Sequence, residues 1–150
     1  MLEPPGAMTK TPSASARISP HRALIYTMIL VAGADRDLAP RELKLIGRKA
    51  RQLPVFDGFD DADLPGIAQE CAVIVHADNG VERALRLIAA ALPKHLRETC
   101  YLCAVEVAAV DGQVPLEELR ILQRLRQVLR LDRLVTAALE RAIQARLATL

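Results

Sequence analysis

The chain has 150 residues, 51% hydrophobic and 25% charged, which fits one domain with a real core and excludes a disordered chain. Its 20 Lys and Arg against 18 Asp and Glu leave a net charge of +2, too small to argue for nucleic acid or an anionic membrane surface. No charge-free run reaches the roughly 18 apolar residues of a membrane span, no cationic start precedes an apolar stretch, and three cysteines make no disulfide framework, so the expectation is a cytoplasmic protein without membrane insertion.

Residues 1–18 (MLEPPGAMTKTPSASARI) are rich in Pro, Ser and Thr and have no period, and predict a disordered tail before a domain over 19–150. Ser19-Pro20 is a helix start, with an N-cap residue and Pro at the first helical position. A first helix follows over 20–34. A second runs from about Pro40 to Leu53, with Leu43, Ile46, Ala50 and Leu53 on one face. The third, about 61–76, has the clearest stripe: Leu64, Ile67, Ala68, Cys71, Ala72 and Val75. Asn79-Gly80 marks a turn before a fourth helix to about Leu92. Pro93 starts a fifth to about 110, a sixth covers about 115–130, and Asp132 can cap a seventh. No segment alternates with period two, so the predicted fold is all-α with seven helices.

Two of these helices stand apart. Residues 23–34 (ALIYTMILVAGA) and 99–110 (TCYLCAVEVAAV) are apolar nearly all round, which predicts burial on every side. Glu106 is the one acidic residue in either. Shifting the sequence by 76 superposes VAGADRDLAPREL (31–43) on VAAVDGQVPLEEL (107–119), with Asp35/Asp111, Glu42/Glu118 and Leu43/Leu119 coincident and Arg48/Arg124 in register. The reading is two helix-turn-helix units. Neither covers its own buried helix, so they pack together as two pseudo-twofold-related halves around the buried pair.

A buried helix ending in small residues, then Asp-Gly, an apolar residue, and Glu seven after the Asp, resembles the tellurite-resistance TerB family. The copy Ala108-Ala109-Val110-Asp111-Gly112-Gln113-Val114 with Glu118 carries the resemblance best; the first repeat has Arg36 where the second has Gly112. The resemblance implies an all-helical, two-halved domain, a cytosolic stress-response role linked to tellurite, metal binding through clustered acidic residues, and no catalysis.

The residues themselves leave two readings of the pairs Asp35/Glu42 and Asp111/Glu118. In one, Asp closes a turn at a helix exit and Glu caps the next helix. That suits Glu42, at the third position after Ala39. It suits Glu118 less, because Pro115 offers no N–H to receive it, or leaves Glu117 in the box position. In the other, Asp35, Glu42, Asp111, Glu117 and Glu118 supply oxygens to a divalent cation such as Ca²⁺. A carboxylate at a helix C-terminus costs about 0.3–1 kcal/mol, so repeating it twice asks for compensation, from Arg48 and Arg124 or from an ion.

Other signals point to packing. Asp57, Asp60, Asp61 and Asp63 precede the third helix, where Asp60 or Asp61 is a good N-cap. Cys100-Tyr101-Leu102-Cys103 spells C-x-x-C inside an apolar helix, where thiols act as small hydrophobes and not as a redox or zinc pair. No phosphate loop or nucleophile elbow is present, so the expectation is not an enzyme. Residues 35–79 carry a net charge of −3 and residues 116–148 one of +3, an asymmetry that can steer a protein partner or a homodimer. Two functions follow: a TerB-like stress module binding a divalent cation, or a metal-independent interaction scaffold.

Overall fold

The computed structural model describes residues 17–33, 38–110 and 116–150. Most of the expected tail, together with Asp35 and Asp111, lies outside the described residues. Those described form seven α-helices and no strand: α1 (Pro20–Gly33), α2 (Pro40–Arg51), α3 (Leu64–His76), α4 (Gly80–Ala91), α5 (Arg97–Ala108), α6 (Leu116–Leu129) and α7 (Arg133–Leu147). The all-α architecture is the one the hydrophobic periods predict.

The helix ends follow local chemistry. Ser19 accepts the Arg22 N–H through its hydroxyl at 3.1 Å, and Pro20 opens α1. The α2 helix stops at Arg51, short of the predicted Leu53, because Leu53 precedes Pro54 and is driven out of the helical region. Asp60 takes the Ala62 N–H at 2.9 Å and caps a 3₁₀ turn (Asp61–Asp63) that leads into α3. A second departure comes after Pro93. The chain makes a 3₁₀ turn over Lys94–Leu96, and Leu96 leaves helical geometry (φ −102°, ψ 0°) before α5 begins. Asp132 caps α7 as predicted, accepting from the Leu134 N–H at 2.7 Å. Between α3 and α4, Asn79 is left-handed (φ 58°). There a Cβ on Gly80 would lie 2.2 Å from the Val75 carbonyl oxygen, so only glycine fits.

Burial confirms that two helices are central. Every side chain from Ala23 to Val31 in α1 is buried, as are Cys100, Tyr101 and Cys103 to Ala108 in α5. A helix apolar all round must be covered all round. Accordingly α1 packs on α2, α3, α4, α5 and α6, while α5 packs on α1, α6 and α7.

Two contacts fix the relative direction of the central pair. His21, at the start of α1, donates from Nε2 to the Val55 carbonyl at 2.7 Å, just past the end of α2. Lys49, near that same end of α2, pairs with Glu106 near the end of α5 at 3.2 Å. The start of α1 and the end of α5 therefore lie together, and the two helices run antiparallel. The first turns of α2 and α6 consequently sit at opposite ends of the pair.

Glu106 is the one buried charged side chain among the described residues. Its carboxylate meets Lys49 of α2 at 3.2 Å and Arg146 of α7 at 3.5 Å, so a single buried anion joins three helices. Removing one partner of such a pair costs about 3–5 kcal/mol when fully buried.

The cysteines behave as core. Cys71, Cys100 and Cys103 are buried and unpaired, and Cys100 Sγ lies 3.2 Å from the Thr27 hydroxyl across the α1–α5 contact. Burial pushes the Cys71 and Cys100 thiols up to about 12 and Cys103 up as well. Thiolate is the reactive form, so labelling with a maleimide at neutral pH should be slow in the native protein and fast in denaturant. Rapid native labelling of Cys100 or Cys103 would contradict the core assignment.

Candidate functional site: helix-start carboxylates and two interhelical grooves

Of the five carboxylates that the sequence singles out, three are described, and they do not come together. Glu42 lies in the first turn of α2, where its Oε1 accepts the Ala39 N–H at 2.9 Å, while the Ala39 carbonyl accepts the Glu42 N–H at 2.9 Å. This is the carboxylate half of a capping box, with alanine unable to return the side-chain half. Glu117 and Glu118 lie in the first turn of α6, at the other end of the bundle. Glu118 also has an interaction partner, and Glu117 is exposed. All three stand where the helix dipole favours an anion. Among the described residues, no three His, Cys, Asp or Glu side chains converge as one ion would need. Glu42, Glu117 and Glu118 thus form no shared site, and Asp35 and Asp111 lie outside the described residues.

Arg124, one of the proposed compensating cations, is committed elsewhere. It makes a bidentate pair with Glu82 of α4, Nε to Oε2 at 2.9 Å and Nη2 to Oε1 at 2.6 Å. Arg22 of α1 grips Glu70 of α3 in the same way at 3.0 and 3.2 Å, and Tyr26 adds its hydroxyl to Glu70 at 3.4 Å. The Arg22 and Arg124 guanidiniums hold the Glu70 and Glu82 carboxyls below the usual carboxylate range. In the other central helix, Tyr101 donates to Glu140 of α7 at 2.5 Å. Desolvation raises both phenols, Tyr26 to about 12. These phenols are tethers between buried and covering helices, and neither is poised for proton transfer near neutral pH.

Two of the open grooves are largely apolar; a third, of about 460 Å³ between α2 and α3, is lined by Lys44, Arg48, Arg51 and Asp61. A groove of about 550 Å³ lies between α5, α6 and α7, with Val105, Ala108, Leu122 and Ile143 among its lining residues. Leu116 and Leu119, also lining it, keep 61% and 47% of their surface exposed. Arg120 and Arg126 line it too, and neither makes an ion pair with a described residue. A smaller groove of about 350 Å³ lies between α1, α2 and α3, lined by Ile29, Leu43, Cys71 and Val75 among others and, among the described residues, by no Lys or Arg. The larger groove was not singled out from sequence. Its signal was present, though: Leu116 and Leu119 fall off the face of α6 that Leu122, Leu125 and Leu129 bury.

An all-helical module built around two largely buried helices defines the class. The model of the family described as tellurite resistance protein TerB matches residues 21–141, most of the chain, and the protein belongs to that family. No curated protein and no solved structure matches it. Among the described residues no helix is long and apolar enough to cross a membrane.

The two bidentate pairs give the fold an acid limb. A carboxyl whose folded pKa is depressed contributes stability that is fully present above its unfolded pKa, about 4.3 for Glu. That contribution is lost as pH falls through the lower folded value. Thermal midpoints should therefore fall as pH drops below about 4.3, and a Glu70→Gln/Glu82→Gln variant should start lower at neutral pH and fall less steeply. Parallel curves for variant and wild type would show that these pairs carry no linkage.

Proposed function

We propose that the chain is a non-catalytic, cytoplasmic stress-response module of the TerB kind that works by docking a protein partner. The observation that carries this reading is the groove between α5, α6 and α7. Its exposed leucines, and arginines that have no carboxylate partner among the described residues, are features that covering a core does not require. Two related halves are also part of the proposal. Residues 76 apart in the sequence recur in the linings of the two grooves. Ile29/Val105, Gly33/Ala109 and Leu43/Leu119 then occupy matching places in the two grooves.

A divalent cation such as Ca²⁺ is the second reading. The exposed Glu117 beside Glu118 at the start of α6 favours it, because that pair adjoins the copy with Asp111-Gly112. In this reading the two carboxylate sets, Asp35/Glu42 and Asp111/Glu117/Glu118, act as two sites and not as one. Arg36 beside Asp35 disfavours the first.

The test is growth on potassium tellurite of source cells lacking this chain, complemented with wild type, Leu119→Lys or Asp111→Asn at equal abundance. The docking reading expects wild type and Asp111→Asn to restore growth and Leu119→Lys to fail. Loss with Asp111→Asn, together with a melting temperature of the purified protein that rises in millimolar-range Ca²⁺, Mg²⁺, Mn²⁺ or Zn²⁺, favours the cation. Full restoration by Leu119→Lys would remove the groove from the function.

A further inference from the structure

We propose that the groove between α5, α6 and α7 receives an acidic amphipathic helix, one that sets leucine-sized side chains along one face with carboxylates beside them. The inference rests on the docking reading above and specifies the partner.

The first argument is shape and polarity. Leu116 and Leu119 are one turn apart on α6, exposed at 61% and 47%, and stand at the edge of a cavity of about 550 Å³. Apolar positions at i and i+3 along a groove wall are what an amphipathic helix buries when it lies in such a groove. An occupant confined to the cavity would leave the outer surface of both leucines in water. The apolar lip thus calls for a larger body than a small ligand.

The second argument is charge. Three charged side chains line the groove: Arg120, Arg126 and Glu140. Glu140 accepts the Tyr101 hydroxyl at 2.5 Å, whereas Arg120 and Arg126 have no carboxylate partner among the described residues. The segment 116–148 that supplies two of its walls carries a net charge of +3. Unpaired arginines at the rim of an apolar groove favour carboxylates on the incoming face and reject lysines there. The smaller groove provides the contrast within the same molecule. Among the described residues it is lined by no Lys or Arg, and of its three leucines Leu30 is buried while Leu38 and Leu43 are half-buried.

The experiment uses the full chain and two fluorescein-labelled peptides of about four helical turns. Both carry Leu at i, i+3, i+4 and i+7 spacing; one has Glu at the flanking positions and the other Lys. Fluorescence anisotropy should give saturable binding of the Glu peptide and binding weaker by about tenfold or more for the Lys peptide. Leu119→Lys should weaken the Glu peptide by about tenfold or more. Arg120→Gln/Arg126→Gln should do the same and flatten the salt dependence. Val73→Lys, at a leucine-sized exposed site on α3 (72% exposed), should leave binding unchanged. Circular dichroism and melting temperature confirm that each variant is folded.

Three results overturn the proposal: no saturable binding of the Glu peptide, equal binding of both peptides, or equal loss with Val73→Lys. A wild-type dimer in sedimentation that Leu119→Lys makes monomeric also overturns it, by assigning the groove to a second copy. If Leu119→Lys fails to support growth on tellurite while the Glu peptide does not bind, the docking reading stands and the acidic helix is wrong.

Discussion

Everything in this fold answers to one constraint: two helices that are apolar on every side and cannot be left in water. A helix with one apolar stripe needs one neighbour, whereas α1, with Ala23 through Val31 all buried, needs a ring of them. The remaining helices are amphipathic because that is their task, each turning one face to the pair and the other to solvent. Deep burial of the pair also accounts for the Cys100 and Cys103 thiols, which are packed in the core of α5, with Cys100 against Thr27 of α1.

The same constraint makes Glu106 costly and therefore informative. A carboxylate in a wholly covered helix must be paired, and its partners Lys49 and Arg146 come from helices far apart in sequence. Their positions also report chain direction. Because α2 returns alongside α1 and delivers Lys49 to the end of α5, the central helices are antiparallel. Glu42 in α2 and Glu118 in α6, 76 residues apart in the sequence, consequently stand toward opposite ends of the pair.

Fold class, helix number and the two buried helices were legible in the sequence, since each rests on periodicity over a dozen residues. The capping roles of Ser19, Glu42, Asp60 and Asp132 were legible for the same local reason. Other features were not. The 3₁₀ turn after Pro93 depends on how Leu96 is held, and Leu53 was counted as helical from its face although Pro54 follows it. The pairing of Arg124 with Glu82 is not legible, because only the packing brings α4 to that face of α6. The groove was missed for a subtler reason. Leu116 and Leu119 read as more of the apolar content of α6 until they are set against the stripe of Leu122, Leu125 and Leu129, which they fall off.

If the buried pair is the foundation, α1 and α5 must be the last elements to open. Native-state hydrogen exchange measures this directly. The account predicts that amides of Ile25–Leu30 and Ala104–Val107 exchange only through global unfolding, with a shared free energy, while α2, α6 and α7 open at lower cost. Exchange from α1 or α5 through a local opening, faster than from the covering helices, would contradict it.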